Sequence, residues 1–236
     1  DVLILADQSV DAIVDGHAKG TIPPDYVGGI GDQGILALRD FVEEGGHLLC
    51  NNASCDLPVE HFGIPVQDVL DGVPRDEFNC PGALLRAEFA VDHPLAYGMP
   101  EDGMVFFSRG RVYEMGGAVG ADDAPGSQEE GQGRDEARRG DGSEGQGTEP
   151  GVVGRGHTAA WGEAGPFTIE PVAHYPDEPL LLSGWMIGDE LIRGRAAALD
   201  VSYGEGKVVL FGFNVHNRGQ ARSTVKLLFN ALLPGS

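Results

Sequence analysis

Two residues at the ends of apolar runs are the first to suggest chemistry. Cys50 closes the run His47-Leu48-Leu49-Cys50, where a strand-to-helix elbow would present a thiolate. His216 follows the run 208–213, where a base would reach that thiolate across the carboxyl edge of a sheet. The flanking residues do not complete the pair. An elbow ordinarily sets Gly beside its nucleophile so that the strained turn can form, whereas Cys50 has Leu49 before it and Asn51-Asn52 after it. Nor does a residue that would orient the imidazole follow His216, because Asn217 and Arg218 come next. Cys50 and His216 are thus the candidate catalytic residues of an incomplete site. The other reading is a buried strand-end cysteine and a loop histidine that hydrogen-bonds locally.

A second candidate is wider. Residues 212–220 form the densest polar cluster at an expected sheet edge, and ligands of open α/β sheets bind beyond the carboxyl ends of the strands. Asp7, Gln8, Asn51, Asn52, His216 and Arg218 would line one crevice there as a ligand-binding set, or would only cap helices and satisfy loop backbone. Two other patterns lack the context their chemistry needs. Gly29-Ile30-Gly31-Asp32-Gln33-Gly34 has the spacing of a dinucleotide fingerprint but follows a Pro-rich loop rather than a strand, so its glycines are expected to shape a loop and open a helix. The histidines at 17, 47, 61, 93, 157, 174 and 216 show no zinc-ligand spacing, so no metal held by this chain and no cofactor of its own is expected.

The elements that must position these residues are read from periodicity. Residues 2–5 form a continuous apolar run, the pattern of a central parallel strand covered on both faces. Residues 9–16 suit a short helix. From Asp32, the residues Ile35, Leu36, Leu38, Phe41 and Val42 recur at helical spacing, with Gly45 as the stop. The run 47–50 then completes a strand, helix and strand in the order of a right-handed crossover. Further strands are expected at 84–89, 104–108, 171–175, 180–182, 196–201 and 208–213, the last two joined by a hairpin-like turn at Tyr203-Gly204-Glu205-Gly206. Residues 223–233 close the chain as an amphipathic helix. Between about 116 and 166 the sequence is Gly, Glu, Asp, Arg and Ser with few aliphatic residues, which predicts a long disordered insertion inside one domain. The fold class expected is α/β: a mostly parallel sheet with helices on both faces and an antiparallel addition near the C-terminus.

Composition limits the partners. At 236 residues and 41% hydrophobic, the chain supplies one good core, and residues 1–236 read as a single domain. The 37 Asp+Glu against 16 Lys+Arg give a formal net charge of -21, a field that repels phosphate backbones and anionic membranes, so nucleic acid is not an expected partner. No run of about 18 apolar residues occurs, so no membrane insertion is expected. Cys50, Cys55 and Cys80 cannot all pair, and neither a disulfide framework nor a compartment is read from them. The chain starts on Asp1 with an apolar run already under way, and it is expected to be cut from a longer parent.

With the strands placed, their order resembles a class I glutamine amidotransferase-like domain, which implies a flavodoxin-like fold. DVLILADQS is similar to the strand and turn before the nucleophile strand, GGHLLCNNAS stands where the nucleophile elbow belongs, and VVLFGFNVHNRG stands where that family carries its catalytic His and Glu. The sequence departs from the family at Cys50, which lacks the Gly-x-Cys-x-Gly setting, and at Arg218, which stands where a Glu should follow His216 by two residues. A closer resemblance is to the C-terminal amidotransferase-like domain of some bacterial zinc carboxypeptidases of the carboxypeptidase A superfamily. It is carried by GGIGDQGILALRDFVEEGGHLL, FGIPVQDVL, FNCPGALL, VDHPLAYGMP, PLLLSGWMIGDELIRGRAA and GKVVLFGFNVHNRGQARSTVKLLFNALL. That resemblance implies a non-catalytic accessory domain and, as its partner, an upstream peptidase domain of the same parent, holding zinc with His and Glu ligands absent from this chain. It also implies export of the parent to the periplasm or beyond.

Overall fold

Strand β1 (Val2–Leu5) opens the computed structural model, which describes residues 1–116, 161–219 and 221–233. Helix α1 (Val10–Val14) follows, capped by Ser9, whose Oγ accepts from Ala12 N at 3.4 Å. Helix α2 (Gly31–Glu43) turns Ile35, Leu38 and Val42 toward the sheet and ends before Gly45, which adopts a φ of 104°. Val42 is fully buried, and burying such a side chain contributes about 1.5–3 kcal/mol. Strand β2 (His47–Asn51) then lies parallel to β1 with Cys50 opposite Leu5, completing the anticipated crossover.

Beyond β2 come α3 (Asp56–Phe62), β3 (Val66–Asp68), β4 (Asn79–Phe89), β5 (Asp102–Phe107) and β6 (Tyr113–Met115). The later part holds β7 (Gly162–Ala164), β8 (Phe167–His174), β9 (Leu181–Ile187), β10 (Ala196–Tyr203), β11 (Gly206–Phe211) and α4 (Val225–Ala231). The main sheet order is β1-β2-β11-β10-β8-β4-β5; β9 branches from β4, β7 from β8, and β6 joins β3 to β10.

The result is mixed α/β, and the expected mostly parallel, flavodoxin-like sheet is corrected. Among the described residues only β1 with β2 and β2 with β11 pair in parallel. The other pairings, including β10 with β11, β10 with β8, and β4 with β5, β8 and β9, are antiparallel. The cause is the connections. A parallel neighbour needs a crossover of a dozen or more residues, usually helical, and no α-helix of the described residues lies between α3 and α4. Strand β1 is a second correction: it ends the sheet path instead of lying centrally, with Val2 38% and Ile4 47% exposed on one face while Leu3 and Leu5 pack on the other. An unbroken apolar run does not tell an edge strand with one covered face from a central one.

Two apolar layers sandwich the sheet. One holds α1, α2 and α3 against Leu48, Cys50, Leu199 and Leu210; the other holds α4 against Leu49, Val209, Phe211 and the inner faces of β4 and β5. Helices therefore do stand on both faces. Of the insertion expected at 116–166, residues 117–160 lie outside the described residues, whereas 162–164 form β7 against β8, a correction at its C-terminal boundary.

Candidate functional site

Because β1 and β2 run parallel, their carboxyl ends arrive at the same edge, and the residues after Leu5 and Cys50 meet there. Asn51 Nδ2 donates to Leu5 O at 3.3 Å, and Ser54 Oγ accepts from Asn51 N at 2.9 Å while lying 3.3 Å from Leu5 O. Asn52 Nδ2 donates both to Asp7 Oδ2 and to Ser108 O, each at 3.1 Å, and Asp7 Oδ1 accepts from Ala53 N at 3.2 Å. Asn51, Asn52 and Ser54 are buried. The polar side chains of this edge therefore tie β1, β2 and the end of β5 together, replacing water as partners of otherwise orphaned groups. Asn52 Oδ1 is buried with no donor among the described residues.

The elbow lies two residues beyond Cys50. Asn52 has a φ of 53°, the left-handed conformation that turns β2 toward α3, and Asn is among the few non-glycine residues that adopt it readily. Cys50 itself lies inside β2, fully buried among Leu48, Leu210 and Cys55. Burial, and then the neighbouring Cys55, pushes its thiol well above the ordinary cysteine range, the reverse of what a thiolate nucleophile requires. The sequence signal for the elbow was present in Asn51-Asn52, a pair of residues suited to a turn. His216 and Arg218 are exposed beyond β11, Arg218 with a φ of 46°, and Gln8 is exposed beyond β1. Of the six residues expected to share a crevice, the structure joins Asp7 and Asn52 by a hydrogen bond, while Asn51 bonds to Leu5 and Ser54; among the described residues Gln8, His216 and Arg218 make no side-chain hydrogen bond or ion pair to them.

A second polar constellation went unnoticed in the sequence because its members are far apart in it. Arg111 is held by Asp56 through two hydrogen bonds, Nε to Oδ1 at 2.7 Å and Nη2 to Oδ2 at 2.6 Å, with Asp68 Oδ2 3.5 Å from Nε. These bonds raise the guanidinium further above its ordinary value. Asp68 Oδ1 accepts from Leu70 N and Val112 N at 3.1 and 2.9 Å, yet burial leaves the carboxyl raised from the usual range. Around this pair opens a cavity of about 800 Å³, to which Arg75, Arg109 and Arg195 also contribute. Arg195 Nε lies 3.2 Å from Glu114 Oε2, and Gln67 Nε2 donates to Glu114 Oε1 at 2.6 Å. The wall is fixed by a close approach: a Cβ on Gly110 would collide with Gly212 O, and Arg111 N donates to that same oxygen at 2.7 Å.

A third group links His93 to two acids, with Nε2 3.2 Å from Glu170 and 3.5 Å from Asp200, while Lys207 Nζ lies 3.2 Å from Asp200. His93 Nδ1 accepts from Leu95 N at 3.2 Å, so both ring nitrogens are engaged and no free base remains. Among the described residues no three His, Cys, Asp or Glu converge closely enough to hold a metal ion, and no helix is long and apolar enough to cross a membrane.

No family model matches this chain, and no curated protein matches it either. Among solved structures, a ThuA-like protein from Bacteroides uniformis is similar at a TM-score of 0.37 and 10% sequence identity. The alignment covers 98% of this chain and 66% of that one, so the chain spans about two thirds of its neighbour's length.

Proposed function

We propose that this chain is a non-catalytic, amidotransferase-like accessory domain carried by an exported zinc carboxypeptidase, where it packs against an upstream peptidase domain. One observation carries the non-catalytic half: an amide, Asn52, occupies the elbow, engaged with Asp7 and Ser108, while the only nearby thiols are buried and raised. An amide hydrogen-bonded to a carboxylate is a structural tie and no nucleophile. The alternative of a residual Cys50–His216 hydrolase needs a lowered thiol pKa, and burial acts against it.

The parent is supported by the long collinear stretches that resemble the accessory domain of such peptidases. A surface for packing is also present. On the outer face of β4, β5 and β9, Trp185 is 52% exposed beside Gly82, and Leu84 and Phe106 pair next to Met104, which is 40% exposed. On this reading, metal chemistry would rest with the peptidase domain. The test is a zinc-supplemented peptidase and glutaminase assay of the 236-residue chain. No turnover above the uncatalysed rate is expected. Enzyme-like turnover that disappears in Cys50→Ser would overturn the reading.

A further inference from the structure

The cavity beside Arg111 gathers four arginines, in a chain of only 16 Lys+Arg, among five acids: Asp56, Glu60, Asp68, Asp71 and Glu114. Two of the arginines have internal work: Arg111 binds Asp56 and Asp68, and Arg195 binds Glu114. Arg75 and Arg109 do not. Both are exposed, and neither guanidinium has a hydrogen bond or ion pair among the described residues.

Arg109 also sits in the left-handed region, at a φ of 50°, between β5 and β6. Its backbone is fixed there from both sides, with N donating to Cys80 O at 3.4 Å and O accepting from Arg111 Nη1 at 3.3 Å. Gly or Asn would take this conformation at lower cost, and the arginine side chain returns no hydrogen bond or ion pair among the described residues. The acids of the wall do not make it a cation site. Asp56 and Glu114 are each paired to an arginine, Asp68 gives one oxygen to two backbone N–H groups, Glu60 and Asp71 are exposed to solvent, and among the described residues no three carboxylates converge. Two unpaired, planar, five-donor groups over a concave wall match the geometry of carboxylate or phosphoryl oxygens. Beside them, half-buried Phe78 and Val69 supply apolar surface.

We infer that this cavity is a binding site for a small organic anion, whose carboxylate or phosphoryl oxygens accept from Arg75 and Arg109 and whose carbon frame lies against Phe78 and Val69. The site is separate from the β1–β2 edge, and it stands whether or not the chain belongs to a peptidase.

Calorimetric titration of the full chain near neutral pH and about 0.15 M salt, with citrate in one arm and inorganic phosphate in the other, tests it. Saturable binding with a Kd of about 1 mM or tighter is expected in at least one arm. Citrate alone would mark a carboxylate ligand, and phosphate alone a phosphate ester. Arg109→Asn keeps a residue that accepts the left-handed backbone, and with Arg75→Gln it should weaken binding about tenfold or more, a loss of about 1.4 kcal/mol. Arg218→Gln, exposed and left-handed but outside the cavity, should leave the affinity unchanged. Should a variant unfold, protection of Arg109 from phenylglyoxal by the same probe, read by peptide mass spectrometry, replaces it. Absence of saturable binding in both arms, affinity indifferent to both arginine variants, or no protection of Arg109 would each overturn the site.

Discussion

The edge where β1 and β2 end and the cavity beside Arg111 are both rich in polar side chains, yet they use them in opposite ways. At the edge, Asp7, Asn51, Asn52 and Ser54 turn their hydrogen bonds on one another and on the backbone of Leu5 and Ser108. In the cavity, two of the four arginines are locked into Arg111–Asp56 and Arg195–Glu114, and the other two, Arg75 and Arg109, face solvent without a partner among the described residues. Polarity at a sheet edge is therefore a poor guide to function by itself. What distinguishes a site from a structural knot is donor capacity left over after the fold has been satisfied.

The contrast breaks most visibly in alkali. Cys55 is pushed up to about 12 and Cys80 to about 11, each first by burial, and burial likewise holds the Cys50 thiol and the Tyr113 and Tyr175 hydroxyls in their protonated forms. Folded values above unfolded ones mean that the native state retains protons the unfolded chain has released. Their contribution is complete below the ordinary thiol value of 9.0 and is lost as pH rises through 11 and 12. Urea melts at increasing pH above 9.0 should show the midpoint falling steadily, a loss of several kcal/mol in all; a flat profile would mean that these groups are not sealed.

Next in size is Asn52→Ala, which removes two hydrogen bonds and places a Cβ-bearing residue without a local polar group in the left-handed region. Stability should fall by about 2–3 kcal/mol in urea denaturation. Asn52→Gly should recover about 1 kcal/mol of that, since glycine accepts the backbone without strain. If alanine is tolerated as well as asparagine, the edge is not a structural knot.

A smaller loss is expected from Arg111→Ala. It leaves Asp56 and Asp68 without their cation, but the pair is about a quarter exposed, so water compensates in part and about 1–2 kcal/mol should be lost. Smallest of all is Arg109→Asn, which should change the melting free energy by no more than about 0.5 kcal/mol. A large destabilisation there would show that Arg109 serves the fold and would weaken the contrast between the two regions.

The sequence legibly encoded local structure. Helix α2 and its stop at Gly45, the β10–β11 hairpin through Gly204 and Glu205, and α4 all lie near where spacing and turn residues place them. Partner choice was another matter. The periodicity of 84–89 or 180–182 marks a strand but not the antiparallel pairing of β4 with β9, which depends on chain reversals remote from either segment. The elbow was misplaced by two residues because reactivity draws the eye to Cys50, although the conformational preference resides in Asn52. Trp185 is half exposed because β9 branches from β4 off the main path and leaves residues 181–185 exposed. The cavity was illegible because Arg75, Arg109 and Arg195 are brought together only by the packing of β3, β6 and the segment before β4.

Alkylation of the native chain by iodoacetamide near neutral pH, followed peptide by peptide, tests most directly whether the strand end is closed and non-catalytic. Cys50 should react only through opening of the fold, at a rate at least about a hundredfold below that of the urea-unfolded chain. Labelling of native Cys50 as fast as a free model thiol, or faster, would contradict the structural reading of the edge and reinstate Cys50 as a nucleophile.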